Sequence, residues 1–136
     1  MQHCELCQTD GGIILLQNSL VRIVLAQNEA DYPCLCRVIL NQHVKEMTDL
    51  PAETRIELME WVWRTERALR ELLQPDKINL ACLGNQVPHV HWHIIPRFND
   101  DTHFPAPIWA TRVREGIRHS LDDLATQLRQ KLTDSE

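Results

Sequence analysis

The 136-residue chain contains no apolar stretch approaching the roughly 20 residues that cross a bilayer, so no membrane span is expected. Its opening residues, Met1-Gln2-His3-Cys4-Glu5, lack the basic and apolar regions of a secretory leader, which makes a cytoplasmic location the expectation. Nowhere do lysines or arginines gather into a run that could track a phosphate backbone, and 14 basic residues against 19 acidic ones leave a net charge of -5. Extended nucleic acid is therefore not an expected partner. A disulfide framework is not expected either, the five cysteines being an odd count in a chain expected in the cytoplasm. In a reducing compartment the closely spaced pair in Cys4-Glu5-Leu6-Cys7 argues for a metal or free thiols. Cys34, Cys36 and Cys82 sit in apolar runs and read as small buried hydrophobes.

With 43% hydrophobic residues the chain supports one compact domain, long enough to bury about two thirds of its unfolded surface. Asp10-Gly11-Gly12 marks a turn, 13–17 reads as a strand, and Asn18-Ser19 turns the chain into a second strand over 20–26, forming a hairpin. A polar loop over 27–32 precedes a third, well-buried strand over 34–40, followed by a short helical turn through Met47. Pro51 is a favourable first-turn residue for the principal helix, with Glu53 near the positive end of its dipole, and the helix should run to about Gln74. Ile56, Met59, Val62, Trp63, Leu69, Leu72 and Leu73 form its expected apolar stripe. Pro75 and Asp76 stop it, 78–83 form a strand, and the tight loop 84–88 turns back into a further, antiparallel strand. Ser120 followed by Asp123 gives a capping-box-like start to a terminal helix over 121–132. Strands outnumber helices and connections are short, so the fold class is α+β, a mainly antiparallel sheet covered by one long helix, with a C-terminal helix.

Between Pro88 and Pro96 the chain reads His89-Val90-His91-Trp92-His93-Ile94-Ile95. Alternation at period two sends Val90, Trp92 and Ile94 to one side of a strand and lines three imidazoles along the other. A core has no use for such a row, and an edge strand would not carry Trp92, Ile94 and Ile95. The neutral imidazole can act as base, nucleophile or metal ligand, so the row points to chemistry.

The order His-apolar-His-apolar-His-apolar-apolar resembles the signature of the histidine triad (HIT) superfamily of nucleotide hydrolases and transferases, with every position from His89 to Ile95 fitting, together with Pro96 and Arg97. The sequence from about Cys4 to about Trp109 is similar to a HIT domain, so 1–110 is expected to be that domain and 111–136 its C-terminal helical extension. The resemblance implies a HIT-like fold, a homodimer, and a nucleotide or nucleotide conjugate as ligand. It also implies that His91 attacks the α-phosphorus to give a covalent nucleotidyl-histidine, with His93 helping to bind the α-phosphate and His89 completing the catalytic row. The loop Gly84-Asn85-Gln86-Val87 matches the family's phosphate loop, with Asn85 and Gln86 as amide donors, although it is shorter than usual. Where the family commonly has a ribose-binding Asp, this chain has Ala26-Gln27-Asn28-Glu29. Gln27 or Asn28 could bond the sugar hydroxyls, with Glu29 as an alternative.

Cys4, Cys7, His43 and His89 make a complete tetrahedral zinc set of two thiolates and two imidazoles. A closed shell of this kind is structural, tying the N-terminus to the sheet and fixing His89, and no catalytic metal is expected. The resemblance supports the set, since bacterial HIT proteins and the related galactose-1-phosphate uridylyltransferases place zinc ligands at these positions. His3 is read as a bystander, His103 and His119 as solvated, and Trp109 as buried packing.

Three function classes follow. The first is a HIT nucleotidyl hydrolase or transferase cleaving a nucleoside phosphoramidate or dinucleoside polyphosphate through His91. The second is a nucleotide-binding regulator with vestigial turnover. The third is a cupin-like enzyme whose catalytic metal is held by His89, His91 and His93 together, a reading weakened because no suitably spaced Glu follows His93.

Overall fold

The computed structural model describes residues 3–134. A short helix α1 (Glu5–Gln8) precedes strands β1 (Ile13–Gln17), β2 (Val21–Leu25) and β3 (Cys36–Leu40). A single 3-10 turn at Met47–Asp49 leads to the long helix α2 (Ala52–Leu73), then β4 (Lys77–Ala81), β5 (His91–Arg97) and the terminal helix α3 (Leu124–Asp134). The strands form one sheet in the order β1-β2-β3-β5-β4, and every neighbouring pair is antiparallel. The fold is α+β.

Local chemistry explains the elements. The β1–β2 turn is an Asx turn, because Asn18 Oδ1 accepts from the backbone N–H groups of Leu20 and Val21, each at 2.8 Å. Pro51 sits one residue before α2, its carbonyl accepting from Arg55 N, and Gln74 ends the helix in the left-handed region at φ 49 with its N–H on Arg70 O. Pro75 then prevents continuation.

The sheet has two unlike faces. One packs against α2 and α3 through Val21, Ile23, Val38, Leu40, Val90 and Ile94, which join Leu58, Val62, Leu69, Leu128 and Leu132 in the main core. Full burial of each such side chain is worth about 1.5–3 kcal/mol, so this layer is the principal source of stability. On the other face, β3 and β5 carry Arg37, Ile39, His91, His93 and Arg97, with Arg22 on β2.

Two sequence expectations change in detail. The buried stripe of α2 is Leu58, Trp61, Val62, Thr65, Ala68 and Leu69, whereas Ile56 is 63% exposed and Trp63 44% exposed. The covering sheet presents a face rotated from the one that hydrophobicity alone selects, and Thr65 fits there because its hydroxyl donates 2.8 Å to Trp61 O. Helix α3 starts at Leu124, three residues later than expected, because Asp123 adopts φ 59 and cannot lie inside a helix or serve a capping box from Ser120. No described helix is long and apolar enough to cross a membrane.

Candidate functional site

Antiparallel register places Arg37 opposite His93 and Ile39 opposite His91. The period-two rule then puts Arg37, His91 and His93 on one face, where they floor a cleft of about 370 Å³. Its walls are Asn28 and Glu29 from the loop after β2, the loop Leu83 to Val87, and Trp109. Gly84 turns that loop at φ +73, in the region where glycine is favoured, and holds Asn85 and Gln86 exposed at the rim.

The three imidazoles make different hydrogen bonds. His91 Nδ1 donates to the backbone oxygen of His89 at 2.6 Å; a carbonyl can only accept, so the ring's proton is on Nδ1 and its free lone pair on Nε2. Burial pushes the His91 pKa down, and the Arg37 charge adds to this against the opposing effect of the His89 carbonyl. His93 Nδ1 lies 3.1 Å from Arg37 Nε, and burial, then the Arg37 and His91 charges, push its pKa down to about 3. Arg37 also donates 2.9 Å to Asn28 Oδ1 and faces Glu29 Oε1 at 3.6 Å. Trp109, 47% exposed, stands edge-on to His93 with ring centroids 5.1 Å apart.

His89 is fully buried just before β5 and belongs to a second constellation. Its Nε2–H donates 2.6 Å to Leu40 O, which turns Nδ1 toward Cys4 Sγ at 3.4 Å, Cys7 Sγ at 3.5 Å and His43 Nδ1 at 3.2 Å. Cys7 Sγ is 3.3 Å from His43 Nδ1, and all four ligand atoms lie within 4.8 Å of one another. Tetrahedral geometry with metal–sulfur bonds of about 2.3 Å and metal–nitrogen bonds of about 2.0 Å requires N···N near 3.3 Å and N···S near 3.5 Å. The cluster fits a metal of that kind.

A scan against protein-family models matches the HIT domain over residues 11–100. A histidine triad protein from Bradyrhizobium japonicum is 30% identical, with 90% of this chain covering 92% of that one at a TM-score of 0.76. Another from Marinobacter aquaeolei is 25% identical, 92% against 88% covered, with a TM-score of 0.70. A Zn-bound histidine triad family protein from Mycobacterium smegmatis is 24% identical, 98% against 96% covered, also at 0.70. No curated protein matches.

The chain belongs to the HIT family.

Cys4, Cys7 and Trp109 lie outside the matched HIT segment, so the two thiols of the cluster and one cleft wall come from flanking sequence, while His43 and His89 lie within it. Of the expected site residues, the structure brings Asn85, Gln86, Asn28, His91 and His93 to the HIT cleft and Cys4, Cys7, His43 and His89 to the cluster. Gln27 belongs to neither. It is exposed, and its amide donates 3.2 Å to the carbonyl of its own neighbour Ala26, because the strand ends at Leu25 and the chain turns away before the cleft wall begins. The cupin-like arrangement also fails: His89 joins the thiols while His91 and His93 face the cleft, and among the described residues the sole cluster of potential metal ligands is the Cys4 group.

Trp109 is a cleft wall instead of core. His103 is buried, its Nδ1 2.7 Å from Tyr32 Oη, and His119 stacks on Phe98 with centroids 3.7 Å apart while its Nε2 lies 2.6 Å from Asp100 Oδ1.

Three charged residues that shape the site were missed. Arg37 and Arg22 interrupt otherwise apolar strands, and a charge at one alternating position of a buried strand was the available signal. Arg22, buried beneath the N-terminal segment, donates to the carbonyl oxygens of Leu6, of Thr9 at 2.9 Å and of Asp10 at 3.0 Å, bracing the turn that carries Cys4 and Cys7. Asp101 accepts from Arg97 Nε at 2.8 Å, from Tyr32 Oη at 3.1 Å and from the N–H groups of Phe98, His103 and Phe104, which anchors the loop leading to Trp109.

Proposed function

We propose that the protein is a nucleotidyl hydrolase or transferase that cleaves a nucleotide conjugate at its α-phosphorus. The supporting observation is His91, whose Nδ1–H is held by the His89 carbonyl so that the Nε2 lone pair is available on a cleft face shared with His93 and Arg37. Attack by Nε2 forms a P–N bond while the bond to the leaving group breaks, and the leaving group departs with that electron pair. Water or another acceptor then displaces the histidine, which returns neutral as the acceptor's proton passes to solvent. His93, Asn85 and Gln86 contact the phosphate oxygens, where donors already in place stabilise developing charge. Asn28 and Glu29 hold the ribose in this reading, since amides donate and accept while a carboxylate accepts from hydroxyls.

The cluster of Cys4, Cys7, His43 and His89 holds zinc, in keeping with its donor set, its spacing and the Zn-bound mycobacterial relative. When bound, the ion supplies a structural crosslink. The protein works as a homodimer, with edge strand β4 as the open side of the sheet. The test is release of nucleoside monophosphate from adenosine phosphoramidate and from diadenosine polyphosphates, by wild type and by His91→Ala. Release by wild type that survives chelation and vanishes in the variant is expected. Binding without release, with affinity unchanged in His91→Ala, would point instead to a nucleotide-binding regulator.

A further inference from the structure

Among the described residues Arg37 is the sole lysine or arginine lining the cleft, and its Nε is directed at a histidine ring nitrogen while Nη2 faces a carboxylate. Nε lies 3.1 Å from His93 Nδ1, Nη1 is tied at 2.9 Å to Asn28 Oδ1, and Nη2 faces Glu29 Oε1 at 3.6 Å. Both ring and guanidinium are buried, so neither readily exchanges its partner for water. Guanidinium has donors and no acceptor. A hydrogen bond between Arg37 and His93 Nδ1 therefore exists only when that nitrogen carries no proton, which places the ring hydrogen on Nε2. His91 adopts the opposite tautomer, with its hydrogen on Nδ1.

We infer that Arg37 is a positioning residue that fixes His93 as a neutral Nε2–H donor, and that the cleft consequently selects nucleotide conjugates whose leaving group departs as an anion. A neutral imidazole offers a hydrogen bond but surrenders no proton cheaply, since giving up its last N–H would leave an imidazolate. An amine leaving from a phosphoramidate needs a proton as its P–N bond breaks. A phosphate or nucleotide leaving from a phosphoanhydride does not: it takes the electron pair of the P–O bond and is stable as an oxyanion near neutral pH. The fixed Arg37 charge beside His93 favours that anion further. This selection rests on the nucleotidyl-transfer reading, whereas the tautomer does not.

The experiment pairs nitrogen-15 NMR of the imidazole rings with kinetics, on the full chain as wild type, Arg37→Met and Arg37→Lys. In wild type, His93 should show an unprotonated Nδ1 and a protonated Nε2, with His91 reversed. In Arg37→Met the His93 signals should move toward a mixture of tautomers while His91 is unchanged, and a retained thermal transition shows that the fold is intact. A protonated Nδ1 on wild-type His93, or an unchanged ring in Arg37→Met, would overturn the tautomer assignment whatever the enzyme cleaves. In the kinetics, wild-type kcat/KM should favour a diadenosine polyphosphate over adenosine phosphoramidate, and Arg37→Met should lose about 100-fold on the anhydride, the size of a lost charge-stabilising donor. Arg37→Lys, which keeps the charge without the fork geometry, should recover part of that loss. Equal or greater wild-type activity on the phosphoramidate would overturn the selection.

Discussion

The carbonyl oxygen of His89 accepts a 2.6 Å hydrogen bond from His91 Nδ1, although the His89 imidazole itself sits among the thiols. One residue thus belongs to the cluster by its side chain and to the cleft by its backbone. Whatever fixes the His89 ring also fixes the carbonyl that sets the tautomer of His91.

Replacing a cluster thiol should therefore affect both constellations. Atomic emission should find one zinc per chain in wild type and none in Cys4→Ser, whose melting temperature should fall by several degrees. Full stability in a metal-free wild type would refute the crosslink.

Arg22→Met removes no cluster ligand but frees the buried Leu6 carbonyl, which lies between the two cluster thiols, and the less buried carbonyls of Thr9 and Asp10. Unpaired buried acceptors cost about 1–3 kcal/mol each when water cannot reach them. Competition with a chromophoric chelator should show faster zinc release from the variant than from wild type. Identical release kinetics would mean that the turn is held without Arg22.

Asp101 and Arg97 are both almost wholly buried and bonded at 2.8 Å. Asp101→Asn leaves the guanidinium without its counter-charge, at a cost of about 3–5 kcal/mol, readable from urea unfolding. Burial alone would raise the Asp101 pKa, yet hydrogen bonds from Arg97 and from the Phe98 and Phe104 N–H groups hold it below the ordinary carboxylate range. A depressed carboxyl contributes stability at pH values above its unfolded pKa and loses it on acidification, so the gap between variant and wild type should narrow below about pH 4.

His93 adds a second acid dependence in a different window. Its folded pKa of about 3 lies under the unfolded value of roughly 6.5, so the unfolded chain takes up the proton first. The stability tied to a neutral His93 is complete above about pH 6.5 and declines as pH falls toward 3. Melting temperatures from pH 7 to pH 4 should drop more steeply for wild type than for His93→Asn; parallel slopes would reject this.

The two amide candidates for the ribose, Asn28 and Gln27, separate cleanly. Asn28→Ala should raise KM for nucleotide substrates, whereas Gln27→Ala, outside the cleft, should leave KM and kcat within twofold. A KM effect at Gln27 would require that the loop move on binding.

The triad strand was legible because period two is rigid geometry and lines three imidazoles along one face; the sequence left the cupin-like reading open, and the place of His89 among the thiols decided against it. The four cluster residues were legible as a set because their donor chemistry is narrow. Arg37, Arg22 and Asp101 were not, since what each does depends on the strand or loop packed against it, and a single charge in an apolar run names no partner. Trp109 and His103 were misjudged for the same reason: burial of a residue in a long loop is decided by how the loop is tethered, here by Asp101. The α2 stripe was misplaced because Ile56 and Trp63 are apolar yet lie off the face that the sheet covers.

At the bulge of β1, Arg129 from α3 reaches Ile14 O with two nitrogens, at 3.1 and 3.0 Å, and the helix lies along that strand. One border of the sheet is thereby blunted, while at the other β4 has no further strand beside it among the described residues. Were two copies to pair along β4, that pairing would use up the one border not blunted in this way, so association by this route would stop at two copies and would not run on into a filament.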